Sequence, residues 1–256
     1  MKIFVSFVKK EWMEHIRSGR LLILGIVFIL FGIMNPAIAK LTPWLLETMT
    51  ESLAQSGIST QAVTVTALDS WVQFFKNMPM ALIIFLLLES SVFTREYQSG
   101  SLIPVLTKGT ARYQIILSKG FLLLFLWSLF FWIHFSITYA YTAYYWDMDI
   151  VENLFFAILS WWLFGILTIG LLVMFSTIFR TNTGVLLGIG SIVLLCLLIS
   201  IAKDLQPYLY TQLTDGNSLI YGVKEPADYY HAWLIAAIST ILCFAISIPC
   251  FNKIDL

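Results

Sequence analysis

Charged side chains are what this sequence has least of: Asp, Glu, Lys and Arg make up 12% of its 256 residues, about half the share of a soluble domain. A chain so poor in charge cannot clothe itself in a solvated surface. With 59% apolar residues and a mean hydropathy of +0.85, neither a soluble globular protein nor a disordered one fits. Cysteine is scarce as well. Cys196, Cys243 and Cys250 fall inside apolar runs without paired spacing, which argues against a disulfide framework or a zinc site. Histidine is confined to His15, His134 and His231, far apart and in no H-E-x-x-H pair, so neither metal-assisted hydrolysis nor a Ser-His-Asp set is expected. The G-x-x-x-x-G-K-[ST] loop is also missing from these residues, so if ATP is consumed, another chain hydrolyses it. No cofactor of this chain's own and no nucleic-acid partner is expected.

Long apolar runs are abundant. A hydrocarbon core of about 30 Å takes about 20 helical residues, and six stretches meet that need: 21–41, 79–93, 115–145, 154–179, 184–202 and 232–251. The fold class expected is an all-α integral membrane protein forming a single transmembrane domain over residues 1–256. The second stretch is the shortest and carries Glu89.

Basic residues assign the sides, because cytoplasmic loops retain Lys and Arg. Lys2, Lys9, Lys10, Arg17, Arg20, Arg95, Lys108, Arg112, Lys119, Arg180 and Lys253 share one side of a six-span layout, and only Lys40, Lys76, Lys203 and Lys224 take the other. Acidic residues run the opposite way. Both termini are therefore expected in the cytoplasm of a multi-pass protein. Ala37-Ile38-Ala39 resembles a signal-peptide cleavage site, but twenty residues with helical character precede the apolar run, so the segment is expected to be retained.

Residues 1–20 place Ile3, Phe4, Phe7, Val8 and Trp12 at helical spacing, with Lys9, Lys10, Glu14 and Arg17 mostly on other faces. That is the pattern of an amphipathic interfacial helix, serving as an anchor, as a dock for a cytoplasmic partner, or both. Segment 42–78 is expected outside, as one helix opened by Thr42-Pro43 and a second opened by a capping-box-like Thr66 to Asp69, bearing Leu68, Trp71, Phe75 and Met78. The pair would either cap an exit path or float in the outer headgroups. A second external segment, 203–231, is rich in Tyr and acid and reads chiefly as interfacial belt. Gly184-x-x-x-Gly188 followed by Gly190 permits close backbone approach, within one chain or between two copies.

Glu89 is the one acid well inside a span. It lies seven residues from Glu96, so the two project from nearly the same helix face. Glu89 is a candidate for the lining of a translocation path or gate; its rival role is a structural carboxyl bonded to a neighbouring helix.

Between spans two and three, residues 94–114, the stretch "FTREYQSGSLIPVLTKGTARYQIILSKG" (93–120) concentrates basic residues around a short apolar piece, Leu102, Ile103, Val105 and Leu106. Gly100 and Pro104 break helix continuity there. A basic cytoplasmic loop settles on anionic lipid, yet a solvent-exposed linker has no need of those apolar side chains, and something must cover them.

This string resembles the pattern Glu-x-x-x-Gly-[Ser/Thr]-Leu-x-x-[Leu/Val]-Leu-[Ser/Thr]-[Lys/Arg]-x-x-x-Arg-x-x-x-x-x-x-Lys of type-2 ATP-binding-cassette (ABC) exporter permeases. Glu96, Gly100, Ser101, Leu102, Val105, Leu106, Thr107, Lys108, Arg112 and Lys119 occupy the matching positions. Gly109 stands where many members have Pro, and Ser101 where Thr is commoner. The resemblance covers essentially the whole chain. It implies a coupling helix between spans two and three that contacts a separate ABC ATPase subunit, with Leu102, Ile103 and Leu106 as anchors and Glu96, Lys108 and Arg112 setting orientation. It also implies two copies of that ATPase carrying ATP and Mg, a second permease copy, identical or related, and residence in membrane lipid of a bacterial cell membrane. The activity implied is export of an amphipathic peptide, antibiotic or lipid. Two other classes stay open from the residues alone: an ion-gradient-driven transporter or channel using Glu89, and a non-transporting membrane scaffold.

Overall fold

The computed structural model describes residues 2–54, 64–99, 107, 111–202 and 204–252. Helix α1, Lys2–Arg17, is followed by α2 (Arg20–Ala54), α3 (Ala67–Glu89), α4 (Ser91–Ser99), α5 (Arg112–Tyr145), α6 (Leu154–Ile178) and α7 (Asn182–Ile199). Two 3-10 turns, the short helix α8 (Gly216–Ile220) and a third 3-10 turn lead into α9 (Tyr230–Asn252). Six of these segments are long and apolar enough to cross a membrane, as a lipid-exposed backbone requires. No strand occurs among the described residues.

Two helix boundaries differ from the sequence reading. Thr42-Pro43 does not open a new helix: α2 runs unbroken for 35 residues through Pro36 and Pro43, about 52 Å at 1.5 Å per residue, and so extends past any bilayer core. Thr42 instead donates its hydroxyl to Ile38 O at 2.8 Å within the helix, adding a bond beside the one Pro43 cannot make. The second expected outer helix begins where its cap placed it, with Thr66 N–H donating to Asp69 Oδ2 at 2.8 Å, but it does not end before Pro79. It is the first half of α3, and Trp71, Phe74, Phe75 and Met78 are core residues rather than a face for headgroups. Its apolar stripe is met by protein: Trp71 packs against Phe135, and Phe74 against Phe131.

The centre of the bundle is α6. It lies against α9, α5 and α7, while α2 pairs with α3 and α5. Polar ring edges stitch these contacts: Trp127 Nε1 donates to Trp162 O, Trp162 Nε1 to Ser128 Oγ and Trp233 Nε1 to Ser160 Oγ, at 3.2, 3.0 and 2.9 Å. Each of these three N–H groups thus finds a partner away from water. Gly165 brings α6 onto Trp127 so closely that a Cβ would lie 2.1 Å from the indole. Gly184 and Gly188 meet Phe179 and Phe175 of this same chain, so both serve close intrachain approach, while Gly190 faces open space.

At the end of the bundle remote from α1, residues 206–229 form a small cap whose Leu213, Leu219, Ile220 and Tyr229 are buried. Trp161 Nε1 donates to Thr214 O at 2.9 Å, and Tyr229 Oη–H to Asp215 O at 2.9 Å. Tyr144, Tyr208, Tyr221 and Tyr230 remain exposed around that end, where amphipathic rings meet a membrane boundary well.

Candidate functional site at the charged base of the bundle

Helical spacing puts Glu11 and His15 one turn apart on α1, on the same side as Phe4 and Phe7, so the face that packs on the bundle carries two ionisable groups. Both are buried. Burying charge is costly unless it is paired, and the pairs come from elements distant in sequence. Lys119 of α5 is 2% exposed and satisfied on three sides: Nζ lies 2.8 Å from Glu11 Oε2, 3.1 Å from Glu96 Oε2 and 3.2 Å from Val92 O. Lys10 completes a two-by-two square, 2.8 Å from Glu96 Oε1 and 3.5 Å from Glu11 Oε1. Burial works against the Lys10 charge, but its bond to Glu96 and the charges of Glu96, Glu11 and Glu14 prevail and raise its pKa.

A second cluster sits one turn further along α1. His15 Nε2 is 2.9 Å from Glu89 Oε2, and Nδ1 is 2.8 Å from Glu11 O. Arg20, opening α2, places Nη1 3.7 Å from the same Glu89 oxygen and donates from Nη2 to Ser91 Oγ at 2.5 Å. Thr94 of α4 donates to Asn182 Oδ1 at the start of α7. The two clusters together tie α1, α2, α3, α4 and α5, and Thr94 adds α7.

The candidates named from sequence divide three ways. Glu96 is buried in the first cluster and faces α1. Arg112 donates from Nη1 to Phe251 O and Asn252 O at 2.8 and 3.0 Å, bonding the terminal carbonyls of α9, a favourable place for a cation. Gly100, Ser101, Leu102, Ile103, Leu106 and Lys108 lie outside the described residues. Glu89 is 1% exposed and, as its seven-residue spacing from Glu96 required, shares that residue's face: both point at α1. The residues missed were Lys10, Glu11, His15 and Arg20. Their signal was legible in part, since Glu11 and His15 interrupt the apolar face of α1, but no spacing names partners 74 and 108 positions away.

Glu11, Glu14 and Glu96 also bring carboxylate oxygens within 4.8 Å of one another, a spacing that could hold a metal ion. The ammonium groups of Lys10 and Lys119 already lie on Glu11 and Glu96 and supply the countercharge a cation would bring.

Two cavities flank this base. A cleft of about 630 Å³ between α1 and α4 is lined by Lys9, Lys10, Arg17 and Arg95 with Glu14 and Met13. Farther along the bundle, α3, α6 and α7 enclose a groove of about 640 Å³ whose walls are Leu82, Leu86, Phe164, Leu186, Ile189, Val193 and other apolar side chains, with Thr168, Thr211 and Thr214 as its hydroxyls.

A family model described as "ABC-2 family transporter protein" matches residues 5–234. No curated protein matches the sequence.

Proposed function

The chain belongs to the ABC-2 family of transporter proteins, and from that premise we propose that it is the permease subunit of an exporter driven by ATP, which a separate subunit hydrolyses. The observation that carries the reading is the extent of the family match, residues 5–234, over six helices able to span a membrane. Its other parts are two copies of an ABC ATPase that hold ATP and Mg, and a second permease copy. The end of the bundle that bears α1 faces the cytoplasm, where basic residues belong, and both termini of this bacterial cell-membrane protein lie there. Residues 94–114 meet the ATPase, with the apolar side chains of Leu102, Ile103 and Leu106 seated on it and Lys108 at the rim. Glu96 and Arg112 act from within, holding α1 and α9 beside that contact.

The α3–α6–α7 groove supports an amphipathic cargo: nearly all its lining is apolar, and its few hydroxyls can orient a polar end. Closure and opening would come from rigid-body movement of two permease halves as the ATPase pair closes. The gradient-driven alternative needs Glu89 open to an ion path, whereas His15 and Arg20 close over its Oε2.

The test is purification from the native membrane in mild detergent, comparing wild type with Leu102→Asp plus Leu106→Asp. A nucleotide-binding subunit should accompany the wild type and be lost from the double variant, with ATPase activity following it. A well-folded wild type that brings no ATPase under conditions that preserve such complexes would overturn the assignment.

A further inference from the structure

The bonding around His15 sets a proton count. Its Nδ1 lies 2.8 Å from the Glu11 carbonyl oxygen, and its Nε2 lies 2.9 Å from Glu89 Oε2. A carbonyl oxygen only accepts, so Nδ1 must carry hydrogen. A neutral imidazole with its hydrogen there would turn the Nε2 lone pair toward the carboxylate, setting acceptor against acceptor at 2.9 Å. The contact is bonding only with one more proton between the two groups. Arg20, 3.7 Å from the same carboxylate oxygen, favours the ionised carboxylate, which leaves that proton on Nε2.

We propose that His15 and Glu89 form a proton-binding site, and that the bound proton clamps α1 to the junction of α3 and α4. The proposal rests on this geometry and stands independently of the transporter reading. The charged groups facing His15 are Glu89 from α3 and Arg20 from α2. Behind the Glu11 carbonyl stands the Glu11–Lys119–Glu96–Lys10 square, two positive and two negative groups that compensate one another. Glu89 Oε1 has no hydrogen-bond partner among the described residues, so the hold of those residues on this carboxylate runs through Oε2, and the His15 proton is half of it. Burial by itself would lower the His15 pKa, but the bond and charge of Glu89, helped by the Glu11 carbonyl, outweigh burial and the opposing charge of Arg20 and raise it. The sign follows from linkage: the clamp is complete below the ordinary histidine value of about 6.5 and is released as pH climbs through the elevated one.

The test uses the full chain in lipid nanodiscs. With only three histidines in the sequence, ¹⁵N-histidine NMR can assign His15 by the signal lost in His15→Gln. Both His15 nitrogens should be protonated at pH 7; one unprotonated nitrogen there would overturn the site. Amide exchange over residues 2–17, normalised to the intrinsic chemical rate, reads the clamp. In the wild type it should accelerate by up to about tenfold per pH unit from the ordinary histidine value of about 6.5 up to the His15 pKa and level off above it, because only in that window does the closed state hold a proton that the open state has lost. Glu89→Gln should make it independent of pH while keeping α1 protected, because the Gln amide can donate to a neutral Nε2. Wild-type exchange that stays flat through the NMR-determined His15 titration would sink the clamp even with the proton in place. Should His15→Gln fail to fold, the wild-type and Glu89→Gln titrations still decide between these outcomes, with the pH-dependent signal marking His15.

Discussion

Spans four and five have nearly the same hydropathy, 2.2 for Leu154–Ile178 and 2.3 for Asn182–Ile199, yet 72% of an apolar 18-residue window of the first is buried inside the chain and only 11% of the second. Hydrocarbon and a protein core are equally good solvents for Leu, so apolar content selects a span without saying what covers it. The difference lies in small and polar residues. Span four has Gly165 under Trp127, Ser160 accepting from Trp233, and Trp162 bonded to Ser128. In span five, Val185 and Ile189 are buried, while Leu187, Leu194, Leu197 and Leu198 are more than half exposed. Span four is a core helix, and span five is a wall of the groove that presents its other side to lipid or to a second copy.

The largest expected effect falls on Gly165. A methyl group there meets a rigid, fully buried indole at 2.1 Å, so Gly165→Ala should cost about 3 kcal/mol or more in detergent-solubilised unfolding, whereas Gly190→Ala, with open space around it, should cost almost nothing. Equal melting of the two variants would erase the contrast between the spans.

Truncation of leucines sharpens the same comparison. Leu172→Ala in span four removes a side chain with no exposure and should lose about 2–5 kcal/mol. Leu197→Ala in span five, at 54% exposure, should change stability by less than about 0.5 kcal/mol in the isolated chain. If the span-five change becomes costly only in particles of twice the mass, a second permease copy covers that helix.

Filling the groove separates its role from folding. Gly190→Trp should leave the melting temperature close to wild type and cut transport on the order of tenfold, because a bulky ring would occupy space a cargo must enter. Full transport with the groove filled would move the path elsewhere.

The smallest effect belongs to the cap. Burial opposes ionisation of Asp215, but bonds from Lys224 and Ser218 win and lower its pKa. The stabilisation is therefore present above the ordinary carboxylate value of about 3.9 and fades as pH falls through the lower folded one. For a half-buried pair it is worth about 1 kcal/mol or less, so thermal unfolding of Lys224→Met should show a shallower acid-side slope than wild type, the Ser218 bonds to Asp215 remaining.

How far the site could be read from sequence follows the range of each interaction. The Thr66 to Asp69 cap is local, and the helix starts there. The shared face of Glu89 and Glu96 follows from helix geometry over seven residues, and both do point the same way. What they point at was hidden, because the partners of Glu89 are His15 and Arg20, about 70 positions back in the chain. Pro43 and Pro79 misled for a related reason. Proline weakens a helix locally, but α2 and α3 are held along their length by each other and by α5, and that packing outweighs one missing donor each.

Sequence by itself determined that this is a six-span helical membrane protein, because run length and charge are set by the thickness and low dielectric of the bilayer, which act on each residue wherever the chain folds. Only the tertiary structure decided which apolar helices form the core, that Gly184 and Gly188 serve intrachain packing, and that the charges of α1 close over Glu89, Glu96 and Lys119. Those outcomes depend on contacts that reach from neighbouring turns to segments 108 residues apart, as for Lys119 and Glu11, and pair energies at 3 Å leave no trace in composition or period.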